Sequence, residues 1–189
     1  MNLGELKKEI VDLGFEEDST LADAEYKRKI VTSINRAIDL INTTGFPIIK
    51  SVKVEGEEVY DMPLVVNDFV DFYGYPKITE NGVRKSFTDF SIEAKRKLYT
   101  NGNKSELEVY YVAYPTRITE TTSDDFEIEL DRVAQPLLPL LASYFIWLDD
   151  DERKATLYQN MYDIKMNEIR ANSNRPVSVS FKGGVVWHN

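Results

Sequence analysis

The chain has no cysteine and only one histidine, His188, among its 189 residues. The first absence removes disulfide scaffolds, thiolate zinc sites, iron–sulfur clusters and cysteine nucleophiles together. The second removes a histidine-based triad or a multi-histidine metal site, because His188 has no second imidazole to work with. Basic residues are outnumbered: 23 Lys and Arg stand against 32 Asp and Glu, a formal charge of −9. Gripping nucleic acid by its phosphates needs clustered Lys and Arg, so that class is disfavoured. No run approaches the ~18 apolar residues of a membrane span. The start, Met1-Asn2-Leu3-Gly4-Glu5-Leu6-Lys7-Lys8-Glu9, lacks the basic-then-apolar order of a signal sequence, so synthesis in a cytoplasm is expected. At 42% hydrophobic and 29% charged residues, the composition is that of a soluble globular chain and excludes long-range disorder.

Periodicity divides the chain into helical ends and a β-rich middle. Leu3, Leu6, Ile10, Val11 and Leu13 mark a first helix, with Asn2 as N-cap and Gly14 as stop. A second runs from about Ala22 to Asn42 on the stripe Tyr26, Ile30, Ile34, Ala37, Ile38 and Ile41, with Lys27, Arg28, Asn35, Arg36 and Asp39 falling mostly away from it. From Ile48 to about Leu130 the period becomes two. Asn81-Gly82 and Asn101-Gly102 read as tight turns, because both residue types tolerate positive φ, and Leu107 to Ala113 is the best strand. Short strands between such turns indicate an antiparallel sandwich or small barrel. Beyond Leu130, Leu137, Leu140, Leu141, Tyr144, Phe145 and Leu148 form the broad apolar face of a central helix, with Pro136 and Pro139 near its first turn. A last helix, about Glu152 to Ala171, is expected to bury Leu157, Tyr158, Met161, Ile164 and Ile169.

The expected fold is therefore α+β: a four-helix unit from both chain ends, residues 1–46 and 131–172, with an antiparallel β-sandwich or barrel, residues 47–130, inserted between them. Residues 173–189 are left as a strand-like C-terminal arm. Charge agrees with a division, since 1–46 carries 6 basic and 9 acidic residues, 47–130 carries 10 and 16, and 131–189 carries 7 and 7.

Candidate chemistry is thin. Asp149-Asp150-Asp151-Glu152 lacks the alternate-position oxygens, central glycine and distal Glu of a calcium loop, and reads as a helix connector whose carboxylates cap the next helix. Asp124, Asp125, Glu127 and Glu129 offer carboxylates of the kind glycoside hydrolysis needs in pairs, yet Glu127 and Glu129 alternate with Phe126, Ile128 and Leu130 as in a half-buried strand. Gly183-Gly184 lacks the Lys-Ser/Thr of a phosphate loop. Tyrosines number 11, densest at Tyr110-Tyr111-Val112-Ala113-Tyr114; on exposed loops they suit a glycan-binding face, within strands they pack. No enzyme, cofactor or metal site is expected. The tail stands apart: Val177, Val179 and Phe181 alternate, and Val185-Val186-Trp187 follows the glycine pair. Either it adds a strand to the protein's own β domain or it reaches a partner by β-augmentation.

Four stretches in this order resemble the head–tail connector (adaptor) proteins of tailed bacteriophages. They are the helix ending Ile34-Asn35-Arg36-Ala37-Ile38-Asp39-Leu40-Ile41; Tyr60-Asp61-Met62-Pro63 with Asn67-Asp68-Phe69, where Met62 stands for a Leu; Leu107-Glu108-Val109-Tyr110-Tyr111 with Tyr114-Pro115 and Ile118-Thr119; and Leu137 to Tyr162, with its Trp-Leu-Asp-Asp-Asp-Glu connector. The resemblance spans roughly residues 25–165. It implies a structural virion protein, synthesised in the bacterial host, whose copies, about a dozen, form a homo-oligomeric ring below the portal protein. That ring would continue the DNA channel to the tail or the next neck protein, and genomic DNA would pass without specific binding. It also implies no cofactor, no catalysis and no membrane. On this reading Arg175, Val177, Val179, Phe181, Val185 and Trp187 form an intermolecular arm, with the portal as the nearest partner. A tail-completion or neck protein, and a glycan-binding β module on a helical stalk, are the alternatives.

Overall fold

The computed structural model describes residues 1–15 and 24–172. Among these, five helices and eight strands alternate as an α+β chain: α1 (Leu3–Gly14), α2 (Ala24–Thr44), β1 (Ile49–Val54), β2 (Val59–Asp61), α3 (Met62–Val65), β3 (Phe69–Phe72), β4 (Lys77–Glu80), β5 (Val83–Ser86), β6 (Ser91–Glu93), β7 (Lys97–Tyr99), β8 (Leu107–Ala113), α4 (Leu138–Trp147) and α5 (Glu152–Asn172). The expected arm, Arg175 to Trp187, lies outside the described residues.

Two compact units emerge. One joins residues 1–47 to the segment from Pro115 through α5; the other comprises residues 48–114. In the helical unit, α1 starts on a reciprocal cap: Glu5 N–H donates to Asn2 Oδ1 at 2.8 Å and Asn2 N–H to Glu5 Oε2 at 2.9 Å. Helix α4 touches α1, α2 and α5. It does so because it is apolar nearly all round: Leu138, Leu141, Ala142 and Ile146 are buried together with Leu137. Pro139 sits in its first turn and Pro136 in a preceding 3-10 turn, where a missing N–H costs no hydrogen bond.

Several stripe assignments shift. Ile34, Ile38, Leu141 and Tyr158 are buried as expected, but Phe145 is half-buried, with the Arg36 guanidinium 4.4 Å from its ring centre. Leu148, Tyr26 and Leu13 are each more than a third exposed. In α5 the buried row is Ala155, Tyr158, Tyr162 and Met166, whereas Leu157, Met161 and Ile164 point to solvent. That helix carries two apolar rows, and periodicity alone cannot tell which one faces the core.

In the β unit, β8 is central and alternates strictly, burying Leu107, Val109, Tyr111 and Ala113. It pairs antiparallel with β1 along one edge, and with β3 and then β4 along the other; β5 extends the sheet from β4. The ends of the unit meet, since Ala113 N–H donates to Ile48 O at 2.8 Å. A smaller antiparallel sheet runs β2-β7-β6. No closed barrel forms among the described residues. Asn81-Gly82 is an exposed hairpin tip between β4 and β5, with φ of +51° and +76°. Asn101-Gly102, at +48° and +86°, is equally exposed but joins β7 to β8, which lie in different sheets. It cannot be a hairpin because β2 and β6 already occupy both edges of β7.

The stretch after Tyr114, read from sequence as the end of the β insert, instead lies on the helices. Phe126 to Leu130 makes one isolated bridge, Asn2 opposite Glu127, flanked by Leu3 N–H to Phe126 O at 2.9 Å and Ile128 N–H to Met1 O at 3.2 Å. Its alternating Ile128 and Leu130 are buried against this unit, so the period-two pattern was real while its sheet partner was the chain's own N-terminus.

Candidate functional site

The groups with chemistry are best followed along the 115–131 segment and the connector before α5. Asn35, in the fourth turn of α2, presents its amide edge-on to Ile118. Asn35 Nδ2 donates to Ile118 O at 2.8 Å and to Val31 O at 3.1 Å, while Ile118 N–H donates to Asn35 Oδ1 at 3.0 Å. The side chain thus copies a peptide group and pairs with Ile118 as a strand would. Arg117 donates to Asp39 at 2.7 Å and Arg28 to Glu120 at 3.2 Å, so one face of α2 fastens residues 117–120 at three points. Asn35 was read from sequence only as lying off the buried stripe. Its signal was its place inside a helix, where asparagine is unfavourable unless its amide has other work.

Three of the four flagged carboxylates are engaged separately. Asp124 accepts from Lys7 Nζ at 2.7 Å, Glu127 lies 3.7 Å from the terminal amine, and Glu129 accepts from Thr116 N–H at 3.2 Å and from its hydroxyl at 2.9 Å. Each of these three serves a different partner. Asp151 Oδ1 accepts from Arg153 N–H at 3.0 Å and Lys154 N–H at 3.1 Å, which is the helix cap anticipated for that run; Asp150 pairs with Lys29. No group of His, Cys, Asp and Glu suited to a metal ion occurs among the described residues. A cavity of about 320 Å³ is lined by Lys7, Lys27, Ile30, Glu120, Thr122, Ser123 and Asp124, with the Lys7–Asp124 pair on its wall.

At the far ends of the helices an aromatic cluster closes the unit. Trp147 packs against Phe15, with ring centres 5.1 Å apart and planes tilted by 37°, and holds Lys154 Nζ 4.0 Å from its ring. Tyr158 donates its hydroxyl to Leu13 O, and burial pushes its ionisation above the ordinary tyrosine range. Gly14 is required here, because a Cβ would stand 2.8 Å from Trp147 Nε1.

The β unit uses its tyrosines and acids in the same structural way. Burial pushes the Asp68 carboxyl up, but hydrogen bonds from Lys50 Nζ at 2.9 Å and Tyr111 at 3.0 Å outweigh it and hold it below the usual range. Burial likewise pushes the Glu108 carboxyl up, and Tyr110, Ser51 and Arg84 overcome that push and hold it below the usual range. Arg96 grips Asp61 through two nitrogens, at 2.5 and 2.8 Å, and lowers its pKa. Tyr60 accepts from Glu57 N–H and Tyr99 donates to Glu93. Leu64 of α3 is 81% exposed, the highest of the large apolar side chains among the described residues.

Regrouped by structural unit, residues 1–47 and 115–172 contain 12 basic and 21 acidic side chains, against 9 and 11 for 48–114. The net negative charge therefore belongs mainly to residues 1–47 and 115–172, and there to the segments between the helices, since α1, α2, α4 and α5 together carry 10 basic and 8 acidic side chains.

The described residues form an α+β fold in which the charged side chains named above hold the chain's own segments in place. The model of the SU10 adaptor protein family matches residues 1–180, and the chain belongs to that family. No curated relative matches it. The family makes it a bacteriophage structural adaptor, with portal and tail proteins as the implied partners and the virion as the implied place. No helix among the described residues is long and apolar enough to cross a membrane.

Proposed function

We propose that copies of this chain, about a dozen, form a ring below the portal that continues the DNA channel towards the tail. The observation that carries this reading is the family match, which extends over residues 1–180 and so includes both units. The helical unit, with four longer helices gathered from both chain ends, is suited to side-by-side packing in such a ring. Its acidic excess suits a wall past which a phosphate backbone slides without sticking. The β unit, with its two antiparallel sheets, faces the tail or the next neck protein.

In this proposal the segment Arg175 to Trp187 is the arm that reaches the portal. Val177, Val179, Phe181, Val185 and Trp187 supply alternate apolar side chains for pockets along a sheet edge, and main-chain groups supply the hydrogen bonds. The test is co-purification of the full chain with its portal, followed by native mass spectrometry and electron microscopy. A ring of about a dozen copies on the portal supports the proposal; a monomer that does not bind portal overturns it. Truncation after Asn174 should leave circular dichroism unchanged and abolish attachment. Unfolding of the truncated chain, or undiminished attachment, sinks the arm.

A further inference from the structure

Leu157, Met161 and Ile164 of α5 are 55%, 37% and 61% exposed. With Glu168 they follow a 4-3-4 spacing, which keeps all four on one line of the helix, as along a coiled-coil seam. The opposite side of α5 is already committed to the core through Ala155, Tyr158, Tyr162 and Met166. The row is bounded by exposed charges of opposite sign: Arg153 one turn before Leu157, and Glu168 one turn after Ile164. No ion pair of Arg153 is found among the described residues, and Glu168 has only Lys165 of its own helix, at 3.1 Å.

This sequence is complementary to itself when reversed. Laying a second α5 antiparallel, with the two-fold axis between Asn160 and Met161, sets Leu157 opposite Ile164, Met161 opposite Asn160 and Arg153 opposite Glu168. A parallel copy in register would instead put Arg153 against Arg153 and Glu168 against Glu168. We infer that the outer row of α5 is a two-fold docking surface for a second copy of this chain, closing an antiparallel helix pair with two Arg153–Glu168 ion pairs. Such an interface is isologous and closes on two subunits, so it cannot by itself generate a ring. It describes a dimer of free subunits, in which the apolar row is shielded before assembly. The inference stands on α5 alone and does not depend on the portal proposal.

Charge reversal reads the geometry directly. In sedimentation equilibrium of the full chain over a range of concentrations, the parent should show a monomer–dimer equilibrium. Arg153→Glu or Glu168→Arg should each weaken it about tenfold, since either change places like charges together at both ends. The double variant should recover the parent affinity. Residues 153 and 168 are ~22 Å apart on one helix, so recovery cannot come from within a chain. A strictly monomeric parent, or a double variant no better than the singles, overturns the inference. The absence of cysteine allows a second measurement. Met161→Cys should form a disulfide dimer on mild oxidation, because its two copies lie almost level across the axis. Leu157→Cys should not, because its copies are offset by ~10 Å, beyond disulfide reach. Equal cross-linking at both positions indicates a different partner surface and rejects the antiparallel register. Truncation after Asn174 should leave the dimer intact; its loss would mean that the chain's own C-terminal segment supplies the contact.

Discussion

Replacing Asn35 by alanine removes a side chain that stands in for a strand. Ile118 is 3% exposed, so its N–H and carbonyl, which Asn35 now satisfies at 3.0 and 2.8 Å, would lose their partners away from water. Each buried group left without a hydrogen bond costs about 1–3 kcal/mol. The Val31 carbonyl is a lesser loss, because it also belongs to the α2 ladder. Against this, alanine gains about 0.5 kcal/mol of helix propensity over asparagine. The balance is a destabilisation of about 3 kcal/mol, or roughly a 6–12 °C lower Tm for a chain of this size. Urea titration followed by circular dichroism measures it, and hydrogen exchange at Ile118 should show protection lost there first. Arg117→Ala serves as the control: its pair with Asp39 is exposed on both sides, and its removal should cost at most about 1 kcal/mol. An Asn35→Ala variant within about 1 kcal/mol of the parent would mean that water replaces the amide freely, and the strand-mimic account would be wrong.

Gly14→Ala should destabilise by about 1–3 kcal/mol, because the new methyl group meets the Trp147 indole at 2.8 Å between Phe15 and Lys154. A Trp187→Phe background leaves Trp147 as the sole tryptophan reporter, and an unchanged emission spectrum would contradict the close approach. Leu141→Asp, at a position 2% exposed in α4, should cost several kcal/mol through an unpaired buried charge; normal folding and assembly of this variant would misplace the core. Asp68 has a folded pKa below its unfolded value of about 3.9, so its contribution is full above that value and is lost as pH falls through the folded one. Asp68→Asn should therefore be less stable than the parent near neutrality, with the gap closing in acid; a gap that widens below about pH 4 would reverse the assigned sign.

The sequence by itself determined the local elements, because each has a short-range physical cause. The Asn2–Glu5 cap, the stop at Gly14, the strict alternation of Leu107 to Ala113 and the positive φ of Asn81-Gly82 all follow from residues adjacent in the chain. The exclusion of cysteine and multi-histidine chemistry was equally legible, as was the adaptor family from the order of its motifs. What tertiary structure decided was which partner each element takes. Phe126 to Leu130 alternates as a strand does, but only packing could show that it lies beside the N-terminus. Alternation reports burial on one side, not the identity of the neighbouring strand. Asn101-Gly102 has the backbone of a hairpin turn, yet occupied edges on β7 turn it into a link between sheets. Helix α5 holds two apolar rows, and the residues expected in its core are largely those it exposes, because amphipathic periodicity fixes spacing but not direction when both faces are apolar. Asn35 and Ile118 lie 83 residues apart, and nothing local links them. Their pairing exists only once α2 and the segment after Pro115 are folded together, where a buried peptide group must find a partner and the asparagine amide is the one in reach.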